Sequence, residues 1–480
     1  MRIQRNIILV AMSALLIATG CDKVKDFGDT NVNPNGTAVP STAALLTNVL
    51  SGLGGLAAQT RPGLYAQQFS ETQYTEVSLY ALPQLEFDGT MAGGLMDLQN
   101  IINSNTDPST KDNAAKFGAN ANQIAIARIM KAYIFWTITD RWGDIPYFEA
   151  LQGAADLSPK YDTQEAIYKD LINELKAANA QFQPAGAKVQ GDIIYGGDVA
   201  KWRKFANSLR MLIALRTSKV YPGPNEFAAV EFKDAFQDPN GYIAANADNF
   251  TIRYPGAVAA FSNPWWALYN GRTDYAESKV MTDLMAALSD PRQAAFGSST
   301  VGFPYGLTRD QAVAFGTSYA TILAANKRDR SSPLVVLGAS DVLLAIAEAA
   351  HRGWVTANIA SLYQNGIAEN WAEWGVTGNL GTYMTNSAVA LTGAPADLQK
   401  IQLQQYISFY PDGLQAWANW RRTGVPGLTP TPNAINSSKQ IPRRYTYGPN
   451  EYNLNSESLN EALARLTGGD TPDSRVWWDK

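Results

Sequence analysis

Apolar residues recur along this chain at intervals of three and four, and strict alternation is scarce. That pattern constrains the fold more than any other feature, because a three-to-four spacing places apolar side chains on one face of a helix while a strand needs a period of two. The spacing predicts helices over Ser41–Gln59, Asn120–Thr139, Asp274–Leu288, Ser340–His351, Asn358–Trp374, Ala396–Phe409 and Gly413–Arg421. Asp162 followed by Glu165 reads as a capped start for a helix carrying Ile167, Leu171 and Leu175 on one face. Asp198 reads as the cap of another, with Trp202, Phe205, Leu209 and Leu212 facing inward. Asn120–Thr139 is apolar almost all round and therefore central, although Arg128 and Lys131 interrupt it as a membrane span. With 46% apolar residues over 480, the chain can bury a large core. No sequence repeat near 34 residues is visible.

Between the helices lie long irregular stretches: 60–95, 240–274, 296–333 and 423–454. They are rich in Gly, Pro, Asn and aromatic residues and lack the charge expected of disordered linkers. Long loops in a compact domain are often functional. Their rings are the main functional signal: Tyr65, Tyr74 and Tyr80 in the first, Tyr254, Phe261, Trp265, Trp266 and Tyr269 in the second, Phe303 and Tyr305 in the third. An exposed ring offers a flat apolar face to the C–H groups of a pyranose, while Asn263, Asn270, Arg272 and Asp274 are placed to supply polar contacts. The competing reading is that such rings merely seal the edge of the core. The candidate ligand-binding residues are Trp265 and Trp266 first, then Tyr74, Tyr80, Tyr269, Arg272 and Tyr305.

Several chemistries are absent. One histidine, His351, and one cysteine, Cys21, exclude zinc sites built on His or Cys clusters, and no cofactor is implied. His351 reads as a helix-end residue favoured by the helix dipole. There is no Walker loop, Rossmann fingerprint or HExxH motif. Basic residues number 39 against 43 acidic, without a basic stripe, which argues against nucleic acid as partner. Asp140–Tyr147, with Arg141 and Gly143, reads as a helix end. Arg421, Arg422, Arg443 and Arg444 are expected to pair with internal carboxylates such as Glu451.

Arg2 and Arg5, an uncharged run from Ile7 to Ala18, and Thr19-Gly20-Cys21 form a secretory signal of the lipoprotein kind, with Ala18 in place of the usual Leu. Residues 1–20 are expected to be the signal peptide, Cys21 the lipidated residue, 21–40 a tether, and 41–480 a single helical domain.

Taken together, these stretches are similar to the SusD/RagB family of Bacteroidetes outer-membrane lipoproteins, in its SusD-like branch. The resemblance rests on the order of short motifs: Thr30–Asn35, Asp140–Tyr147, Asn263-Pro264-Trp265-Trp266, Leu288–Arg292, Pro304–Leu307, Ala347–Trp354, Leu362–Ile367, Asp412–Trp417, Arg421–Gly424, Ile441–Arg444 and Trp477–Lys480. It implies an all-α fold of tetratricopeptide-like helix pairs with an irregular, ligand-facing half. It implies a non-catalytic protein outside the outer membrane, held there by its lipid. It also implies a SusC-like TonB-dependent transporter as partner, to which a captured glycan is delivered. A peptide-binding lid of the RagB kind and a lipid-anchored glycoside hydrolase, which needs only two carboxylates, are the alternatives. A lipoprotein that gates its barrel without touching substrate is a third.

Overall fold

The structure is a computed structural model, and it describes residues 41–480. The expected signal peptide, the expected lipidation at Cys21 and the expected tether fall on residues outside the described ones. The longer helices are α1 (Thr42–Ala57), α2 (Met96–Thr106), α3 (Asn120–Trp142), α4 (Gln164–Gln181), α5 (Val199–Arg216), α6 (Phe227–Phe236), α7 (Lys279–Leu288), α8 (Ala339–His351), α9 (Ile359–Trp374), α10 (Asp397–Ser408), α11 (Gly413–Thr423) and α12 (Ser456–Arg465). They pack mainly as consecutive pairs, α3 with α4, α5 with α6, α8 with α9 and α10 with α11. Each pair lies against the next through α4–α5, α5–α8 and α8–α10, which is the expected stack of helix pairs. The all-α class is therefore correct.

The stack follows from sequence-local physics. α3 is buried on nearly every face because α2, α4 and α5 surround it. It ends at Gly143, whose φ of +91° needs no Cβ and whose N–H caps the Thr139 carbonyl at 2.8 Å. α5 begins where the Asp198 carboxylate accepts from the N–H groups of Ala200 and Lys201. α4 begins one residue later than the sequence suggested. Its cap is Thr163, which accepts from the Ala166 N–H. Asp162 is spent elsewhere: it pairs with Ile145 in a short ladder and accepts from the N–H groups of Tyr147 and Phe148.

Buried charges lock the pairs together. Glu348 on α8 is fully buried and accepts two hydrogen bonds from the Arg422 guanidinium, at 2.6 and 2.7 Å, and further ones from Arg352, Gln402 and Gln405. Although burial raises its pKa, the Arg422 and Arg352 charges outweigh it and hold the carboxyl well below its usual range. Arg443 pairs with Asp479 and Arg444 with Asp470, while Arg421 donates to the carbonyls of Asp140 and Arg443. The four arginines are thus structural as expected, but Glu451 is not their partner; it accepts from the Tyr161 hydroxyl. Arg141 donates to the Thr137 carbonyl, and His351 closes α8.

The irregular half is threaded by four two-stranded ladders: β1 (Phe69–Glu71) with β6 (Tyr275–Glu277), β2 (Gln84–Leu85) with β8 (Thr446–Tyr447), β3 (Ile145–Pro146) with β4 (Tyr161–Asp162), and β5 (Phe250–Ile252) with β7 (Leu334–Leu337). The β1–β6 ladder corrects the helix expected over Asp274–Leu288. Its first residues are drawn into pairing with β1, and the helix starts only at Lys279, capped by the Ser278 hydroxyl. Residues 60–95, read as a loop, also contain the short helix Thr60–Tyr65 and buried β1.

Candidate functional site

The β1–β6 ladder builds the most prominent feature of the irregular face. Its register pairs Phe69 with Glu277, Ser70 with Ala276 and Glu71 with Tyr275. The pairing runs on beyond the strands, since the Thr72 N–H donates to the Asp274 carbonyl at 2.9 Å and its hydroxyl to that of Thr273 at 2.6 Å. Two further steps bring Tyr74 and Arg272 together. The Arg272 guanidinium carbon lies 5.7 Å from the centre of the Tyr74 ring, and Arg272 is also paired with Asp274. Tyr74 is 49% exposed, and the Arg272 side chain is 63% exposed.

A third strip of chain completes this cluster. Arg309 lies 5.6 Å from the centre of the same Tyr74 ring. It opens the short helix Arg309–Phe315, which has a reciprocal cap between Thr308 and Gln311. Ala312 of that helix joins Phe303 and Ala276 in a small core of its own, with Tyr319 against it. The approach to the helix is held at Gly306, whose carbonyl accepts from the Thr431 hydroxyl at 2.8 Å. Gly306 has a φ of +67°, and a Cβ there would lie 2.3 Å from the Thr431 Cβ, so only glycine fits.

The other sequence candidates divide. In Asn263-Pro264-Trp265-Trp266 the Asn263 side chain caps a short helix by accepting from the Trp265 N–H at 2.8 Å, with Pro264 in the first turn. This sets the direction of two neighbouring rings. Trp265 turns inward, is 2% exposed and packs edge-on against Phe69 at 5.5 Å. Its expected role as a platform is corrected: the ring is core. Trp266 remains half-buried, with the Arg330 guanidinium carbon 4.7 Å from its ring centre. Tyr269 is half-buried under Arg328 at 4.2 Å. Its hydroxyl accepts from the Ile322 N–H and donates to the Tyr275 carbonyl, so it ties three loop strips together. Burial raises its pKa.

Tyr80 is another correction. It is fully buried at φ +65°, an uncommon conformation for a bulky residue. Its ring packs near Tyr65 at 6.4 Å, and its hydroxyl accepts from the Thr431 N–H at 3.3 Å. Tyr305 is half-buried beside Tyr80, with its hydroxyl shielded and its pKa raised by burial. Tyr80 belongs to the interior that supports the face. Sequence reasoning missed Arg309, Arg328 and Arg330; an arginine in an irregular stretch carries no signal until the chain places it over a ring.

Two buried acidic features lie behind the face. Glu277 is fully buried, and only Gln293 reaches it, donating to Oε2 at 2.7 Å; burial raises its pKa to about 8. A small, partly open pocket of about 80 Å³ between the helices and the irregular half is lined by Trp265, Lys327, Asp341, Glu373 and Asp412. Burial raises Asp341 to about 6 and Asp412 to about 7. No group of three His, Cys, Asp or Glu side chains among the described residues is arranged to hold a metal ion.

A stack of helix pairs carrying an irregular face of aromatic rings and arginines defines a helical binding protein. The profile of the SusD-like family described as starch-binding and associating with the outer membrane matches residues 34–448, and the chain belongs to that family. A solved chitin-binding protein superposes with a TM-score of 0.77 at 26% identity, over 91% of this chain and 99% of its own. A SusD homolog from Bacteroides uniformis superposes at 0.79 with 25% identity, over 92% and 99%. A chitin-binding SusD homolog from Flavobacterium johnsoniae gives 0.75 at 23% identity, over 92% and 98%. No curated protein matches the sequence. Among the described residues no helix is long and apolar enough to cross a membrane.

Proposed function

We propose that this chain is a non-catalytic glycan-binding lipoprotein of the outer membrane. In this reading Cys21 carries the lipid, residues 21–40 tether the domain 41–480 outside the cell, and captured oligosaccharide passes to a SusC-like TonB-dependent transporter. The observation that supports it most is the exposed Tyr74–Arg272–Arg309 cluster, built from three distant strips on the irregular face. Family membership and the chitin-binding relative at 26% identity support the ligand class. Trp266, with Arg330, is the second contact; Tyr269 ties the neighbouring loop strips together, and Tyr305 lies inward beside Tyr80.

The test is a glycan array followed by titration with the best ligand. Tyr74→Ala is expected to weaken binding about tenfold, the loss of one aromatic contact of about 1.4 kcal/mol, with an unchanged circular dichroism spectrum. Equal affinity in a folded variant removes Tyr74 from the site. New reducing ends on incubation with the ligand would favour the hydrolase alternative. Binding to peptides alone would favour the RagB-like one. For the anchor, Cys21→Ala is expected to release the protein from membranes in cells lacking the transporter.

A further inference from the structure

We infer that the ligand of this face carries negative charge: the site is built for an acidic oligosaccharide, with uronate or sulfate groups, rather than a neutral one. The inference rests on the glycan reading above and narrows it.

The argument starts from how the arginines are used. In the helical stack several arginines are paired with carboxylates, Arg128 with Glu174, Arg210 with Asp234 and Arg422 with Glu348, while Arg141 and Arg421 lie over Trp rings with their donors on backbone carbonyls. A carboxylate consumes the N–H donors of the guanidinium fork. On the irregular face Arg272 is paired with Asp274, while Arg309, Arg328 and Arg330 each lie over an aromatic ring and form no ion pair among the described residues. A ring beneath a guanidinium holds its flat side and leaves the donors along its edge free. No hydrogen bond from the Arg309 side chain to a described residue uses its donors, and the only one from the Arg330 side chain leaves by Nε, to the Ser262 hydroxyl at 3.3 Å, whereas Arg328 donates to the Leu323 carbonyl at 3.2 Å and to the Thr321 hydroxyl at 3.3 Å. The forks left for a ligand are therefore those of Arg309 and Arg330.

The same geometry weakens the case for a neutral sugar. A guanidinium 4.7 Å above Trp266 occupies space over a ring face that a pyranose would need, and Tyr74 has two such groups near it. What the face offers a ligand is therefore guanidinium donors beside the partly covered planes of Tyr74 and Trp266. Trp266 and Arg272 are six residues apart, so their Cα atoms are separated by at most about 20 Å. One ligand of several sugar units reaches both.

The test uses the purified full chain in detergent. Oligogalacturonate and a sulfated oligosaccharide set are compared with their methyl-esterified and desulfated counterparts, which keep the backbone and remove the charge. Acidic members are expected to bind at least about tenfold more tightly, with affinity falling as salt rises, because charge-assisted contacts at an exposed face are screened. Arg309→Gln is expected to lose about five- to tenfold on the acidic members and distinctly less on the neutral ones, while Arg309→Lys keeps part of the preference. Arg309 is exposed, so neither change threatens the fold. Neutral members bound as tightly as acidic ones, or Arg309→Gln without effect, would overturn the charge inference and leave glycan binding standing. Binding to neither set nor to any other glycan would overturn both.

Discussion

Glu277→Gln should make the protein more stable, and by an amount that depends on pH. Glu277 sits on β6 with no exposure, its Oε1 has no hydrogen-bond partner among the described residues, and no cation pairs with it. Around it lie Gln293, Tyr410 and Tyr269, none of which supplies positive charge. Burial alone lifts its pKa from 4.5 to about 8. The sign follows from proton counting. Above pH 4.5 the unfolded chain loses this proton while the folded chain keeps it until about pH 8, so rising pH favours unfolding. The penalty grows from about 1 kcal/mol at pH 5 to about 4 kcal/mol at pH 8, and levels off above that. Glutamine has nearly the same shape, keeps an acceptor for Gln293 and does not titrate. Wild type and variant should therefore be alike near pH 4.5, and the variant should gain steadily up to pH 8. Guanidinium denaturation followed by tryptophan fluorescence at five pH values from 4.5 to 9 measures this difference. A difference that is flat with pH, or that favours wild type at pH 8, refutes the assignment of a buried neutral acid.

Other consequences concern the stack and the face. Glu348→Gln strands the Arg422 charge in the interior and is expected to cost about 3–5 kcal/mol, read from denaturant midpoints. Because the Glu348 pKa is depressed, its stabilisation is present above the unfolded value near 4.5 and is lost as pH falls below it, the opposite sign to Glu277. Trp265→Ala should cost about 3–5 kcal/mol as a core cavity; ligand affinity measured on the remaining folded fraction should change little. Gly306→Ala introduces a Cβ against Thr431 at a positive φ, and a loss above about 1 kcal/mol is expected, together with weaker Arg309-dependent binding.

The helical stack was legible because its signals are local. The three-to-four spacing that marks α5, and the Asp198 cap that starts it, lie within one or two turns of chain. The order of short motifs pointed to the family for a similar reason, since each is a contiguous string. Where local reading failed, a distant partner had intervened. Tyr275–Glu277 belongs to a strand only because β1, about two hundred residues earlier, pairs with it. Asp162 lost its capping role to the ladder with Ile145.

The candidate face shows the division most clearly. From the sequence alone came an all-α body, irregular stretches dense in rings, and a set of aromatics that included both Tyr74 and Trp266. Tertiary structure decided which rings face outward. Trp265 and Trp266 are adjacent and chemically identical, yet the cap at Asn263 and the ring of Phe69 send one into the core and leave the other under Arg330. It also decided the charge of the face. Arg309 becomes a neighbour of Arg272 only through the continued β1–β6 register and the small core under its helix. Periodicity and capping are properties of neighbouring residues along a chain. Burial and the company a charged group keeps are properties of contacts between distant segments, and no local pattern encodes them.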